Sequence, residues 1–203
     1  AIAGAQEHGV YAYMKHFALN DQEGNRNCMV ATWSNEQAIR EIYLKPFEMS
    51  VKDADCHAVM SSFNYIGNRW AGGCSELLQN VLRGEWGFLG FVETDYFGVY
   101  GYMTADQAVR NGGDLMLCTT GNDYNKVTVL TNSSKQALRT SAKNILYTVV
   151  NSRAYEAENL NPGMAKWKVI MIGADVVAAL LIVGLEYTAI KNYKKRKEEE
   201  EEV

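Results

Sequence analysis

A long apolar run near the C-terminus constrains this chain more than any other feature. From Val169 to Leu185 the residues are almost all apolar, and a dense block of charge follows directly. A helix needs about 20 predominantly apolar residues to cross the hydrocarbon core of a bilayer. We therefore predict a transmembrane helix over residues 167–190 and a charged tail over 191–203. A buried core helix stays open as the alternative, because Asp175 inside the run would be costly in a membrane.

The residues that flank this run predict its orientation. Trp167 and Tyr187 are aromatic side chains of the kind that gather at membrane interfaces. Basic residues then follow the run: Lys191, Lys194, Lys195, Arg196 and Lys197. The positive-inside rule places that end in the cytoplasm. The sequence predicts a single-pass protein of the cell membrane, with an extracellular N-terminal domain, a cytoplasmic C-terminus and the lipid bilayer as a partner of residues 167–190.

Ahead of the run, residues 1–152 predict one domain and residues 153–166 a polar linker. Four short apolar segments predict strands: Val10–Met14, Ala58–Phe63, Gly90–Thr94 and Asp114–Cys118. Four amphipathic segments predict helices: Asn35–Asp53, Ser75–Arg83, Thr104–Arg110 and Ser133–Asn151. Ser34 is predicted to cap the first helix, and Pro46 to kink or break it. This alternation favours an α/β fold with a parallel sheet covered by helices.

Four β/α units make either half of an eight-fold barrel or a small doubly wound sheet, and periodicity does not separate the two. In both folds, functional residues gather at the C-terminal ends of the strands. Asp95 occupies such an end, and Glu93 shares its face of the strand. An inward carboxylate is costly unless it is paired or held protonated. Lys15 alternates with Tyr13 along its strand and is therefore predicted to face inward with it. Lys15 is a candidate partner for one of these two acids.

Composition limits the partners and cofactors of the chain. The net charge is -4, which gives no reason to expect a nucleic-acid partner. The four cysteines are scattered without a CxxC pair, and the three histidines are equally dispersed. Because neither pattern has metal-ligand spacing, we expect no metal and no cofactor.

Five segments, in order, resemble motifs of glycoside hydrolase family 3. The first, Lys15–Glu23 followed by Arg26, is similar to the family's KHF...NxxE..R segment. The others resemble its RE-YL-PFE helix, its VMxSYN strand, its LRxEWGFxGxVxTDW segment and its A...GxDxxM strand: Glu41–Glu48, Val59–Asn64, Leu82–Tyr96 and Ala108–Met116. The resemblance covers about residues 6–120. It implies the C-terminal half, strands 5–8, of a TIM-like (β/α)8 barrel, here joined to the predicted transmembrane helix.

The resemblance also implies an activity and a set of site residues. The activity is hydrolysis of O-glycosyl bonds in carbohydrate metabolism by a retaining, β-glucosidase-like enzyme, with a β-linked oligosaccharide or glycoside as substrate. Asp95 would be the nucleophile, which forms a covalent glycosyl-enzyme intermediate. The implied substrate-binding residues are Lys15, His16, Arg26, Met60, Phe63 and Tyr96. Tyr96 stands where the family commonly has a tryptophan, which presents an aromatic face to a sugar ring.

Two departures and one gap qualify this resemblance. Phe63 replaces the family's usual tyrosine, and Glu93 stands where the family usually has an apolar residue. The family's general acid/base and first four strands are expected upstream of Ala1, so an upstream barrel half and an acid/base domain are implied as partners. We expect the chain alone to be inactive. The alternative is a degenerate, membrane-anchored relative that binds carbohydrate or serves as a scaffold without catalysis.

Overall fold

The computed structural model describes residues 1–97, 100–119, 123–156 and 163–201. It divides into two compact units, Ala1–Tyr155 and Glu156–Val203, and each is described by itself. The first unit ends three residues beyond the predicted domain boundary, because Arg153–Tyr155 form a 3-10 turn after the last helix. Six residues of the predicted linker, 157–162, lie outside the described residues, as do residues 202 and 203 of the predicted tail.

A three-stranded parallel sheet organises the first unit. Within the described residues, the strands of the unit are β1 (Tyr13–Phe17), β2 (Ala31–Thr32), β3 (Ala58–Ser61), β4 (Tyr65–Ile66), β5 (Arg69–Trp70) and β6 (Phe91–Glu93). Strands β1, β3 and β6 pair in that order, all parallel. The parallel sheet is therefore confirmed. Each of its strands pairs with the next predicted strand along the chain, as in a barrel wall, whereas a doubly wound sheet reverses its order at a switch point.

Two predicted strands differ from the structure. The first begins at Tyr13 rather than Val10, so it includes Lys15 and His16 instead of ending before them. The predicted strand Asp114–Cys118 is wrong: in the described part of this segment only Leu115 forms a parallel bridge, to Glu93. Here two side chains accept backbone N–H groups that the next strand of a regular sheet would otherwise bind. The Asp114 carboxylate accepts the Val92 N–H, and the Thr94 hydroxyl accepts the Leu117 N–H.

The four segments that were predicted as helices are helical in the structure. Their bounds are α1 (Ile2–Glu7), α2 (Glu36–Ala38), a π-helical segment (Ile39–Tyr43), α3 (Lys45–Lys52), a longer π-helical segment (Glu76–Glu85), α4 (Ala105–Arg110) and α5 (Asn132–Val150). The predicted cap Ser34 is wrong, because the Asn35 side chain accepts the Ala38 N–H. The break predicted at Pro46 is confirmed: Leu44 separates the π-helical segment from α3, whose first turn contains the proline.

A second, small sheet holds the loop that follows β1. Strand β2 pairs parallel with β4, and β4 pairs antiparallel with β5. Asn64, fully buried after β3, donates its side-chain N–H groups to the Ala18 carbonyl at 3.1 Å and to the Thr32 hydroxyl at 2.9 Å. These two-residue strands carry no periodic signal, which is why the sequence did not predict them. Their effect is to tie both ends of residues 18–32 to the sheet.

The sheet has one covered face and one open face. Met14, Phe17, Val59 and Val92 pack with buried residues of the longer π-helical segment in one apolar cluster. On the other face, Tyr13 contacts Phe91 ring to ring at 5.5 Å but is 41 % exposed, and Lys15 is exposed. Lys15 therefore lies on the predicted face. That face is the one an eight-stranded barrel would close.

The second unit is dominated by one helix, α6 (Lys166–Glu201), of 36 residues. At 1.5 Å per residue it is about 54 Å long. Its segment Lys166–Lys197 is long and apolar enough to cross a membrane, by length and composition. The apolar side chains of this segment are exposed along the helix. The helix also continues into the tail that was predicted only as charged.

Candidate active site

The carboxylate of Asp95 lies directly after β6, at the C-terminal end of the parallel sheet. Its backbone N–H donates to the Ser61 carbonyl at 3.1 Å, so the neighbouring strand β3 fixes its position. The residue is 6 % exposed. The side chain is thus a nearly buried acid at the edge of the sheet where α/β folds place their functional groups.

Three groups contact this carboxylate. Oδ2 accepts from Nη1 of Arg26 at 2.9 Å and lies 3.4 Å from Nε2 of His16. Oδ1 accepts the Tyr96 N–H at 2.7 Å. Hydrogen bonds to an ionised acceptor are short and strong. They hold both oxygens of Asp95 in one orientation.

Arg26 is itself held from two further sides. Its Nε lies 3.1 Å from the exposed carboxylate of Glu23, and its guanidinium lies 4.7 Å from the centre of the Phe63 ring. Phe63 is buried, and its carbonyl accepts from the Tyr102 hydroxyl at 3.1 Å. A guanidinium over an aromatic face is attracted by the ring quadrupole. Phe63 therefore supports Arg26 in this structure.

His16 reaches the same carboxylate as a neutral ring. Burial lowers the pKa of its imidazole, and the nearby cations Lys15 and Arg26 act in the same direction, while Asp95 opposes them. The distance of 3.4 Å suits an ion pair, but the lowered pKa leaves the ring uncharged at neutral pH. Arg26 already neutralises Asp95, so a second positive charge at His16 is not needed there. A neutral imidazole can both donate and accept hydrogen bonds.

The structure brings together five of the seven residues that the resemblance implied. Asp95 contacts both His16 and Arg26, with Phe63 against the Arg26 guanidinium and Tyr96 next to Asp95. The Tyr96 ring is 42 % exposed, and its hydroxyl lies 3.0 Å from that of Thr119. Met60 is half-buried on β3 and pairs in register with Glu93.

Lys15 is the residue that the structure does not connect to the acids. Within the described residues it forms no ion pair with Asp95 or Glu93, so its predicted role as their partner is wrong. Arg26 is the cation at Asp95 instead. The physical reason is reach: β1 leaves the Lys15 side chain exposed, whereas the loop tied down by β2 and Asn64 carries Arg26 to the carboxylate.

Two supporting residues were missed from the sequence. Glu23 pairs with Arg26, and their spacing of three residues in an acidic-basic pair is a signal that could have been used. Tyr102 binds the Phe63 carbonyl from a distance of 39 residues along the chain, for which the sequence offers no signal.

Glu93 has no cation or hydrogen-bond donor beside it in the described residues. Burial raises the pKa of its carboxyl, and burial together with the nearby Glu93 carboxyl raises the pKa of Tyr13 to about 12. Of the two outcomes that the sequence left open, pairing or protonation, the structure shows no pairing, and burial disfavours the charged form.

We expect Glu93→Gln to stabilise the chain at neutral pH. A carboxyl whose folded pKa is raised contributes stability below its unfolded pKa of about 4.3 and loses it as the pH rises through the folded pKa. The amide removes that loss, so the gain at pH 7 should be about 0.5–1 kcal/mol and should vanish near pH 4. Urea unfolding at both pH values measures it, and an equal gain at both would contradict the pH linkage. Glu48→Gln, at a half-buried acid that is paired with two lysines, is the control.

The comparisons with known proteins agree with this geometry. A family model described as the glycosyl hydrolase family 3 N terminal domain matches residues 1–146. A β-glucosidase of Rhizobium radiobacter is 38% identical over 159 residues, which are 76% of this chain and 19% of that protein. A probable β-glucosidase K of Emericella nidulans is 41% identical over 114 residues, which are 56% of this chain and 13% of that protein.

A similar solved structure is that of β-glucosidase 3B from Thermotoga neapolitana in complex with glucose. It is 32% identical, with a TM-score of 0.65, over 78% of this chain and 23% of that one. The chain therefore spans less than a quarter of the length of these relatives.

Proposed function

This chain belongs to glycosyl hydrolase family 3, and from that premise we propose that the protein containing it is a retaining, β-glucosidase-like glycosidase. The observation that carries the proposal is the nearly buried Asp95 carboxylate at the end of β6, with Arg26, His16 and the Tyr96 N–H on its two oxygens. The substrate class is a β-linked oligosaccharide or glycoside.

The proposed reaction has two displacements at the anomeric carbon. In the first, an oxygen of Asp95 forms a bond to that carbon while the bond to the leaving oxygen breaks, and a general acid protonates the leaving oxygen. In the second, the same group acts as base and takes a proton from water, whose oxygen displaces Asp95. Arg26 and the Tyr96 N–H orient the carboxylate for attack. The acid/base is proposed to come from another part of the protein.

The remaining site residues are proposed to bind the sugar. His16, as a neutral ring, can donate to or accept from a sugar hydroxyl, and the exposed ammonium of Lys15 can donate to another. The exposed face of Tyr96 suits a pyranose ring. Met60 and Phe63 would form the apolar side of the subsite.

We further propose that β1, β3, β6 and the segment at Leu115 are strands 5–8 of a barrel whose first four strands are supplied by another part of the protein. The open face of the sheet, with Tyr13 41 % exposed, supports this. Retaining chemistry needs two carboxyl groups roughly 5–5.5 Å apart. In the described residues the acid that shares Arg26 with Asp95 is Glu23, and it is exposed. The isolated chain should then be inactive.

The test is turnover of an aryl β-glucoside, followed by NMR of the first sugar product. The complete protein is expected to release the β-anomer first, while the isolated 203-residue chain releases none. Initial formation of the α-anomer would overturn the retaining mechanism. Turnover by the isolated chain would overturn the proposal that the acid/base lies elsewhere.

A second candidate is a degenerate relative that binds carbohydrate or serves as a scaffold without catalysis. Two observations favour it: Phe63 lacks the hydroxyl of the family's tyrosine, and Glu93 is left without a partner in the described residues. Substitution of Asp95 separates the two candidates.

Arg26 should matter more for turnover than for folding. We expect Arg26→Ala to lower kcat/KM by about 10²-fold, because the Asp95 carboxylate loses a charged donor and the Phe63 ring loses its cation. Arg26→Lys should recover only part of the loss, since an ammonium cannot reproduce the planar fork. Arg40→Ala, which removes an exposed arginine paired with Glu85, is the matched control. Equal activity of the Arg26 and Arg40 variants would contradict the assigned role.

We also propose that α6 anchors the protein in the cell membrane. Residues 167–190 would span the bilayer once, with the family 3 domain of residues 1–152 outside, the linker 153–166 between them and residues 191–203 in the cytoplasm. The length of α6, its exposed apolar side chains and the basic residues after Ile190 support the proposal.

Removal of the chain after Ala165 is expected to release nearly all of the protein from membranes. Carbonate extraction measures this, because it strips peripheral proteins but not spanning helices. Deletion of residues 198–203 is the control and should leave the protein in the pellet, since the glutamates lie outside the apolar span. Full-length protein in the carbonate supernatant would overturn the anchor.

A further inference from the structure

A cavity of about 360 Å³ lies beside the loop between β1 and α2. Its lining includes two aromatic side chains, three polar ones and an aliphatic one: Trp33, Tyr43, Asp21, Gln22, Thr32 and Leu19. We call it the Trp33 cavity. Its volume is within the range of small-molecule sites, which begins at about 300 Å³. None of its polar lining residues belongs to the site at Asp95.

Trp33 is the residue that folding does not explain. Its indole is 79 % exposed, more than any other tryptophan, tyrosine or phenylalanine in the described residues. A tryptophan that packs in a core buries about 150–250 Å² and stabilises the fold accordingly. Because its side chain is so exposed, Trp33 gains almost none of this stabilisation. An exposed aromatic side chain in a cavity is a common mark of a binding surface.

Hydrogen-bonding groups surround the indole without being used by the chain. Within the described residues, the Asp21 carboxylate, the Trp33 N–H and the Tyr43 hydroxyl have no partner. Gln22 donates through Nε2 to the Gly24 carbonyl at 2.8 Å, which leaves Oε1 as an acceptor. Thr32 is different, because its hydroxyl donates to the Tyr65 carbonyl and accepts from Asn64. Thr32 forms a rigid wall, and the other groups are available to a ligand.

The backbone fixes these groups in place. Trp33 follows β2, which pairs with β4, and Asp21 follows the segment that Asn64 holds at Ala18. Tyr43 ends the π-helical segment, in which the Leu44 N–H donates to the Ile39 carbonyl at 2.8 Å. Such π turns recur at functional sites because the extra residue re-aims a side chain.

We propose that the Trp33 cavity is a second carbohydrate-binding site, which takes one pyranose ring of a β-linked glucan chain. A pyranose in this linkage has an apolar C–H face and a rim of hydroxyls. The exposed indole can stack on the C–H face, and a carboxylate, an amide oxygen and a phenol can hydrogen-bond the hydroxyls of the rim. A surface meant for packing against protein would instead have a core depleted of charge. The same segment of chain carries Arg26 to Asp95 and Trp33 to the cavity.

The test measures binding without turnover. The full chain carrying Asp95→Asn is titrated with cellotetraose, and the tryptophan fluorescence or the heat of binding is recorded. Trp33→Ala in this background is expected to weaken the affinity by at least about tenfold, because the stacking surface is lost. Trp33→Phe keeps an aromatic face and should lose about threefold or less. Affinity for glucose at the Asp95 site should be unchanged by either.

The matched control is Trp167→Phe. Trp167 is also an exposed tryptophan, but it belongs to the second unit, so its substitution should not alter binding. Unchanged cellotetraose affinity in Trp33→Ala, or no saturable binding by the parent, overturns the inference. The choice of a glucan probe rests on the proposed glycosidase function, but the two fail separately. Trp33-dependent binding in a protein without turnover would leave the second site standing and remove the enzyme.

Discussion

Asp95→Asn in the complete protein is expected to lower kcat on an aryl β-glucoside by at least about 10⁴-fold, with little change in stability. The amide is nearly isosteric, and its one oxygen can still accept from Arg26 or from the Tyr96 N–H, so the fold around β6 should be kept. It is a poor nucleophile, however, and cannot form the covalent intermediate that a retaining mechanism requires. Steady-state kinetics measure the loss, and thermal unfolding measures the retained fold.

Chemical rescue makes this test specific. In Asp95→Ala the nucleophile is absent, and added azide can occupy the space and attack the anomeric carbon. The bond to the leaving oxygen breaks, the leaving group departs, and the sugar becomes a glycosyl azide of inverted configuration. Recovery of turnover with this product would assign the nucleophile directly. Asp53→Asn, at the exposed end of α3, is the control and should keep full activity. If Asp95→Asn also keeps activity, Asp95 is not the nucleophile; if the parent has none, the scaffold or binding alternative is favoured.

The sequence predicted the site better than it predicted the strands around it. Asp95, His16 and Arg26 come from distant segments, yet the motif resemblance grouped all three, and in the structure His16 and Arg26 both contact Asp95. Motifs carry such information because they reflect the site directly. The same resemblance could not show that Phe63 supports the Arg26 guanidinium, since that contact depends on the path of the loop between Ala18 and Thr32.

Strand ends and ion partners were predicted less well, for local reasons. The segment after Asp114 is apolar enough for a strand, but the Asp114 and Thr94 side chains take backbone N–H groups that a ladder would otherwise use. Lys15 lies on the predicted face of the sheet, but a position on that face does not ensure contact with an acid. Whether it reaches an acid depends on side-chain reach and on competition from Arg26, neither of which periodicity records.

Among the acids that form ion pairs in the described residues, Asp114 has the most buried side chain. We expect its loss to have the largest effect on folding. Its side chain is 1% exposed, and Oδ2 accepts from Nη2 of Arg83 at 2.7 Å and from the Val92 N–H at 2.8 Å. Oδ1 accepts from Asn144 at 3.0 Å. The carboxylate thus joins the longer π-helical segment, β6 and α5.

We expect Asp114→Ala to destabilise the chain by about 3–5 kcal/mol, because it leaves a mostly buried guanidinium without its counter-ion and a strand N–H without an acceptor. For a domain of this size the midpoint of thermal unfolding should fall by roughly 6–20 °C. Circular dichroism during heating measures the shift. Asp106→Ala is the matched control, since Asp106 also accepts a backbone N–H, from Thr128, but lies at an exposed site. It should cost about 1 kcal/mol.

The double variant Arg83→Met/Asp114→Leu separates two explanations of that loss. If the cost of Asp114→Ala comes from an unpaired buried charge, removal of both charges should recover a large part of the stability. If it comes from the three-way connection between the π-helical segment, β6 and α5, the double variant should be as unstable as the single one, because Val92 and Asn144 still lack their acceptor. The contacts of Arg83 with the Gly90 and Gly112 carbonyls favour the first outcome, since that guanidinium is held in place when its acid is gone. A change below about 1 kcal/mol in Asp114→Ala would contradict both.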